Sequence, residues 1–161
     1  MFDPAKFELT TAHAAELAAV WGRMADEDKL GRCFPGGTMT AERFALQPWA
    51  WVYIGRYDGQ PVGIAWLERF EERTARIGFC AFAAAGTRVL AIIAEAAARL
   101  ADLRGADGRY CFNTLLGYIR SDNPSSARAA RRAGFTLAGI IPDYFDGCDV
   151  EIYALQRSAQ A

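Results

Sequence analysis

The sequence predicts an α/β fold: a mixed sheet with helices on both faces. Three observations lead there. Residues 49–82 read as a three-stranded antiparallel meander, residues 86–103 as an amphipathic helix, and residues 110–155 as strand, helix and two closing strands. Antiparallel neighbours can be joined by a hairpin, whereas parallel ones need a crossover. A strand–helix–strand step after a meander therefore implies both pairings in one sheet.

Residues 7–10 read as a short first strand. Thr10 or Thr11 can cap a helix running to about Met24. Its Leu17, Val20, Trp21 and Met24 recur at helical spacing and form one buried stripe. Residues 26–37 are a polar, Gly/Pro-rich connection, and residues 40–46 a second short helix ending before Pro48. Residues 49–57 are aromatic and β-branched, as strands prefer. Asp58-Gly59 is a two-residue hairpin signal, and residues 62–70 supply the partner strand. Glu71-Glu72-Arg73 makes a charged turn into a third strand, residues 75–82.

Residues 86–103 hold no proline. Val89, Ile92, Ile93, Ala96 and Leu100 mark one face at helical spacing, and Gly105 and Gly108 end the helix. Residues 110–119 read as the next strand and 122–133 as the next helix. Asn123 is its N-cap, Pro124 takes the favoured first position and Gly134 the C′ position. Residues 136–141 and 149–155 are the last strands, joined through residues 142–147. No repeat, low-complexity tract or linker breaks the 161 residues, so 1–161 is expected to be a single domain.

Eighteen Lys+Arg oppose nineteen Asp+Glu, a net charge of −1. That balance predicts no broad attraction to nucleic acid or to an anionic membrane. No apolar run approaches a membrane span, and the N-terminus lacks a signal-peptide pattern. Cys33, Cys80, Cys111 and Cys148 form no C-x-x-C pair, a poor arrangement for zinc, and no metal is expected. The lone histidine, His13, reads as a surface residue, which disfavours His-based metal sites and a Ser-His-Asp triad. A reduced, cytoplasmic protein is expected.

The most informative stretch runs from Arg120 through Ser121-Asp122-Asn123-Pro124 to Gly134-Phe135. It resembles the last conserved block of the GNAT superfamily of N-acetyltransferases, where a strand ends at an Asn that opens a helix closing in Gly-Phe. The tail, residues 149–155, is similar to that family's closing strand, and the element order fits along nearly the whole chain. The resemblance implies a mostly antiparallel sheet of six or seven strands, with two parallel strands splayed apart and about four helices. It also implies an acetyl-CoA cosubstrate and an amine acceptor. The pantetheine arm would lie between the splayed strands, here residues 75–82 and 110–119. The pyrophosphate would sit on free N–H groups where the following helix begins.

The resemblance places cofactor contacts at Phe82, Ala83, Ala84, Gly86, Thr87 and Arg88, and at Asn123 and Ser126. This loop is shorter than the family's and has one glycine. A tight turn with Thr87 as a helix cap is the alternative, and the place of the loop in the fold order favours phosphate binding over it. Many family members carry a tyrosine partway along the last helix to protonate the leaving thiolate, and here that position is Ala130. Tyr118 and Tyr144 are substitutes by residue type, although either could be a core or rim residue. An amine must lose a proton before it attacks, and a carboxylate is the usual acceptor. Glu68 is the first candidate for that base. Glu71 and Glu72 are expected to face water, and Glu151 to point away from the face of Val150 and Ile152.

Cys80 and Cys111 could approach a bound thioester, but core packing explains both. One of Arg128, Arg131 and Arg132 could reach the CoA 3′-phosphate, although a solvated face explains them too. Trp49, Trp51, Trp66, Phe70, Tyr144 and Phe145 could line an acceptor pocket or the core. Residues 26–47, the segment that usually shapes acceptor choice in the family, carry no readable acceptor code. An exposed aromatic strand could pair with a second copy, and dimers are common in the family. The alternative to an enzyme is a catalytically inactive acyl-CoA-binding or protein-interaction module.

Overall fold

The computed structural model describes residues 1–37, 39–46 and 51–157. Among the described residues the strands are β1 (Phe7–Thr11), β2 (Val52–Tyr57), β3 (Gln60–Glu71), β4 (Thr74–Ala81), β5 (Thr114–Arg120), β6 (Thr136–Phe145) and β7 (Cys148–Gln156). Among the described residues five α-helices join them: α1 (Ala14–Asp26), α2 (Leu30–Cys33), α3 (Ala41–Ala45), α4 (Val89–Ala101) and α5 (Pro124–Arg132). The strands pair in the order β1-β2-β3-β4-β5-β7-β6. The β4–β5 ladder is parallel, while β1–β2, β2–β3, β5–β7 and β6–β7 are antiparallel. The mixed sheet expected from the sequence is therefore present.

The backbone divides into two compact units. The first comprises Met1–Trp66 and Gly78–Ile92, the second Leu67–Ile77 and Ile93–Ala161. Strands β3 and β4 and helix α4 each contribute residues to both.

In the first unit α1 buries Leu17, Val20 and Met24, as its periodicity predicts. They pack with Phe44 of α3 and with Val52, Ile54, Ile64 and Cys80 from the strands. The helix is capped by His13, two or three residues later than the expected threonines, because β1 continues through Thr11. The Glu16 carboxylate then accepts the His13 N–H at 2.8 Å. Asp58 and Gly59 both have positive φ (49° and 75°), which gives the tight hairpin that Asp-Gly favours. The stretch read as an irregular connection contains α2 and a 3₁₀ turn, Pro35–Gly37. Trp49 and Pro48 lie outside the described residues.

Gly78 carries a packing role that no turn signal reveals. A Cβ there would lie 2.2 Å from the Trp66 ring. Trp66 rests over it and meets Phe34, with ring centroids 5.2 Å apart.

In the second unit Leu100, Leu115, Val150 and Tyr153 are fully buried. Helix α5 starts and stops where its capping residues direct. Asn123 Oδ1 accepts the Ser126 N–H at 3.2 Å. At the far end Gly134 has φ +90°, the Phe135 N–H donates to the Ala130 carbonyl and the Gly134 N–H to that of Arg131. These two bonds form a Schellman closure, which needs the left-handed residue that glycine supplies.

The final hairpin departs from expectation. Residues 142–145 belong to β6, and the turn is only Asp146-Gly147, with φ 35° and 81°. Asp146-Gly147 is the same turn signal as Asp58-Gly59. Strand β6 ends the sheet order and exposes Leu137, Ile140, Ile141 and Tyr144. Strand β5 begins at Thr114 rather than Tyr110, since Tyr110 forms only an isolated bridge with Arg104. No described helix is long and apolar enough to cross a membrane.

Candidate active site

In the first unit the chain leaves β4 through Phe82 and forms a 3₁₀ turn, Ala83–Arg88, before α4. Gly86 lies inside this turn at φ 54°, ψ −136°, a conformation that side chains of L-residues resist. A Cβ at Gly86 would meet nothing within 4 Å, so open space lies beside a backbone only glycine adopts readily. That combination fits a backbone that a ligand approaches closely.

Phe82 is buried in the core cluster. The Ala83 N–H donates to Glu27 Oε2 at 2.7 Å. Ala84 and Thr87 are exposed. The Arg88 guanidinium turns onto the Tyr57 ring, 4.8 Å from its centroid, with a 3.5 Å contact to the Ala84 carbonyl. Arg88 Nε is buried and has no hydrogen-bond partner among the described residues.

The parallel β4–β5 ladder runs from Thr74↔Thr114 to Ile77↔Gly117. Each strand continues past that last pair, β4 to Ala81 and β5 to Arg120. Residues 78–81 of β4 thus extend beyond the ladder and lead directly into the 3₁₀ turn.

In the second unit the three residues singled out for proton handling are brought together through a fourth. Glu68 Oε1 lies 3.5 Å from Arg76 Nε. The Arg76 guanidinium sits 4.3 Å over the Tyr118 ring, and the Tyr118 and Tyr144 rings are 6.1 Å apart. Strand geometry explains the grouping. Arg76 pairs in register with Leu116 on the parallel strand, so Tyr118, two residues on, shares its face.

Asn123 caps α5, and Ser126 donates the bonded backbone N–H. Just before them Arg120 grips Asp122 through two bonds, Nε to Oδ1 at 2.9 Å and a terminal nitrogen to Oδ2 at 2.7 Å. This fork holds the Asp122 carboxyl below the usual carboxylate range and raises Arg120. Arg131 points to Tyr153, whose hydroxyl accepts from it at 2.7 Å and donates to Glu151 at 2.7 Å. Burial first, then the Glu151 carboxylate, pushes the Tyr153 phenol up. Glu151 thus lies on the Tyr153 face, opposite Val150 and Ile152, as strand alternation predicts.

Cys80 is buried, with the Cys33 thiol as its neighbour. The hydrogen bond between them lowers Cys33 and, with burial, raises Cys80. Cys80 is therefore a poor nucleophile, and Cys111 is half-buried. The aromatic candidates separate. Trp66 joins the first unit's core, Phe70 stacks on Phe112, and Tyr144 meets Phe145 edge-on at 4.7 Å. Among the described residues no group of three or more His, Cys, Asp or Glu could hold a metal.

Two participants went unrecognised in the sequence. Arg76 had a signal: Glu68 and Arg76 stand three residues either side of the turn Glu71-Glu72-Arg73, an opposite-charge pair across a hairpin. Glu27 had none, since it meets a backbone N–H 56 residues away.

No family model matches the sequence, and no curated protein matches it significantly. Solved structures do match. An acetyltransferase from Salmonella typhimurium that modifies the N-terminal serine of 50S ribosomal subunit protein L7/L12 is similar at TM-score 0.76 and 19% identity, covering 94% of this chain and 95% of that one. An acetyltransferase of the GNAT family from Bacillus anthracis matches at TM-score 0.71 and 17% identity, over 94% and 95%. The yncA protein of Salmonella typhimurium, a putative acetyltransferase solved with acetyl-CoA, matches at TM-score 0.68 and 19% identity, over 97% of each chain. Nearly complete coverage in both directions, with the parallel β4–β5 pair inside a seven-stranded mixed sheet, gives this chain the fold of the GNAT acetyltransferases.

Proposed function

We propose that this protein is an N-acetyltransferase that moves the acetyl group of acetyl-CoA to an amine by direct attack on the thioester. The observation that carries the reading is the Gly86 turn, placed directly after the stretch of β4 that outruns its parallel ladder. Backbone N–H groups of a turn opening a helix favour an anion, which suits the pyrophosphate to residues 83–88. The pantetheine arm would pair with the backbone of residues 78–81 as an added strand. Phe82, Ala83, Ala84, Gly86, Thr87 and Arg88 are the proposed contacts in this loop, with Asn123 and Ser126 as further cofactor residues. Similarity to a structure solved with acetyl-CoA supports the choice of cosubstrate.

The chemistry asked of the side chains is modest. Glu68, directly or through water, takes a proton from the ammonium. The neutral amine attacks the carbonyl carbon, a C–N bond forms and the C–S bond breaks. The departing thiolate takes a proton from Tyr118, with Tyr144 as the second candidate, and the new amide nitrogen gives its surplus proton back to that phenolate, leaving a neutral amide and free CoA thiol. Positioning supplies much of the rate in such a reaction. Arg76, in contact with both Glu68 and Tyr118, would fix their separation. We read residues 1–161 as one domain, cytoplasmic because its cosubstrate is an intracellular metabolite. Nucleic acid is not a proposed partner, and a second copy is one.

Similarity to the enzyme that modifies an N-terminal serine makes peptide N-termini the first acceptors to test. The experiment is thiol release from acetyl-CoA across peptide N-termini, amino acids and polyamines, alongside a thermal melt with acetyl-CoA. Acceptor-dependent release is expected. Tight acetyl-CoA binding without release on any acceptor would favour a binding module. The absence of any melting shift at millimolar ligand would remove the cosubstrate assignment.

A further inference from the structure

The first amide of the proposed phosphate loop already has a partner. Glu27, the C-cap of α1, has a side chain only 18% exposed and uses both carboxylate oxygens. Oε1 lies 3.1 Å from Arg23 Nε one helical turn earlier, and Oε2 accepts the Ala83 N–H at 2.7 Å. Arg23 is itself anchored. A terminal nitrogen donates to the Pro61 carbonyl at 3.1 Å, and its guanidinium sits 4.6 Å over the Phe82 ring. Phe82 and Ala83, where the chain passes from strand to turn, are thus gripped together from the end of α1.

A solvated i,i+4 ion pair contributes little and has no need of a third group. Here the pair ends on a backbone donor 56 residues away in sequence. Resting on the acetyl-CoA reading, we propose that Glu27 is a positioning residue for the phosphate loop: braced by Arg23, its carboxylate holds the Ala83 N–H and so sets the path of residues 83–88. Because Glu27 occupies that donor, Ala83 meets the cosubstrate only through its other atoms, and the pyrophosphate takes the amides that follow it in the loop. Arg23 balances the Glu27 charge, so the brace places no net negative charge beside the anion.

The test is acetyl-CoA binding by calorimetry, with hydrogen exchange at the amides of residues 83–88 in the free protein. Glu27→Ala should weaken acetyl-CoA about tenfold, as loss of a charge-assisted hydrogen bond would, and should speed exchange in the loop. Glu27→Gln keeps an accepting oxygen and should stay within about threefold of wild type. Ala83→Pro removes the donor itself. The extended Phe82 (ψ 160°) suits a residue preceding proline, and the first helical position tolerates it. It should match Glu27→Ala, and the double variant should lose no more.

Unchanged or tighter binding by Glu27→Ala would overturn the proposal. So would a Glu27→Gln loss as large as that of alanine. Weakening by Ala83→Pro alone would mean that the phosphate takes this amide directly, which also overturns it. If Glu27→Ala does not fold, the contrast of Ala83→Pro with Glu27→Gln decides. Failure of the wild-type protein to bind acetyl-CoA would instead bring down the acetyltransferase reading and this inference with it.

Discussion

Replacing Gly86 separates two causes that usually act together. At φ 54°, ψ −136° its backbone sits where an L-residue is strained, yet a Cβ would touch nothing within 4 Å. Glycine to alanine therefore adds no clash, and its whole cost is conformational, about 1–3 kcal/mol. At 2 kcal/mol the melting temperature should fall by roughly 4–8 °C. Valine adds the same strain and also fills the open space, where the proposed pyrophosphate would approach. Acetyl-CoA at a hundred times its Kd should add about 2.7 kcal/mol to the wild type, and a tenfold weaker site would reduce that to about 1.4 kcal/mol. The assay is denaturant unfolding of wild type, Gly86→Ala and Gly86→Val, each with and without acetyl-CoA. Wild-type stability in Gly86→Ala would refute the conformational argument. A full ligand gain in Gly86→Val would refute the claim that this space serves the ligand.

Other substitutions probe the frame around the site. Gly78→Ala drives a Cβ into the Trp66 ring at 2.2 Å, and should cost about 1–3 kcal/mol while shifting Trp fluorescence; unchanged stability and emission would contradict it. Tyr118→Phe keeps the ring under Arg76 but removes the proposed proton donor, so kcat should fall about 10²-fold with little change in KM. Tyr144→Phe should stay near wild type, and the opposite ranking would exchange their roles. The Glu16 carboxyl is held below its ordinary 4.5, first by the His13 N–H and then by Arg56. Its contribution to stability should be complete above pH 4.5 and fade as pH falls through the lowered folded value. Glu16→Gln should flatten that acid limb, and an unaltered slope would argue against it.

Local signals carried most of the fold. Asp58-Gly59 gives its turn because both residues must reach positive φ, and Asn123, Pro124 and Gly134 bound α5 through bonds each residue type is built to make. Helix α1 buried the stripe its spacing marked. What escaped was non-local or overridden. Helix α2 spans only four residues, too few to show a period. Pro142 and Asp143 read as breakers, but they sit on an edge strand, where a proline costs less. At the site, residue types named Glu68, Tyr118 and Tyr144, whereas Arg76, which touches Glu68 and Tyr118, shows in the sequence only as an opposite charge across the turn. Glu27 required three dimensions, because a carboxylate that meets a distant backbone N–H leaves no sequence pattern.

The exposed edge of β6 carries its own limit on self-association. A bare strand rich in isoleucine and leucine is a template for a further strand, and an added strand needs N–H donors in sequence. Pro142 supplies none. It divides β6 into residues 136–141, whose N–H groups alternate between β7 and the open side, and residues 143–145 beyond the gap. Any chain that adds itself here, including another copy of this one, meets a ladder that the proline keeps short.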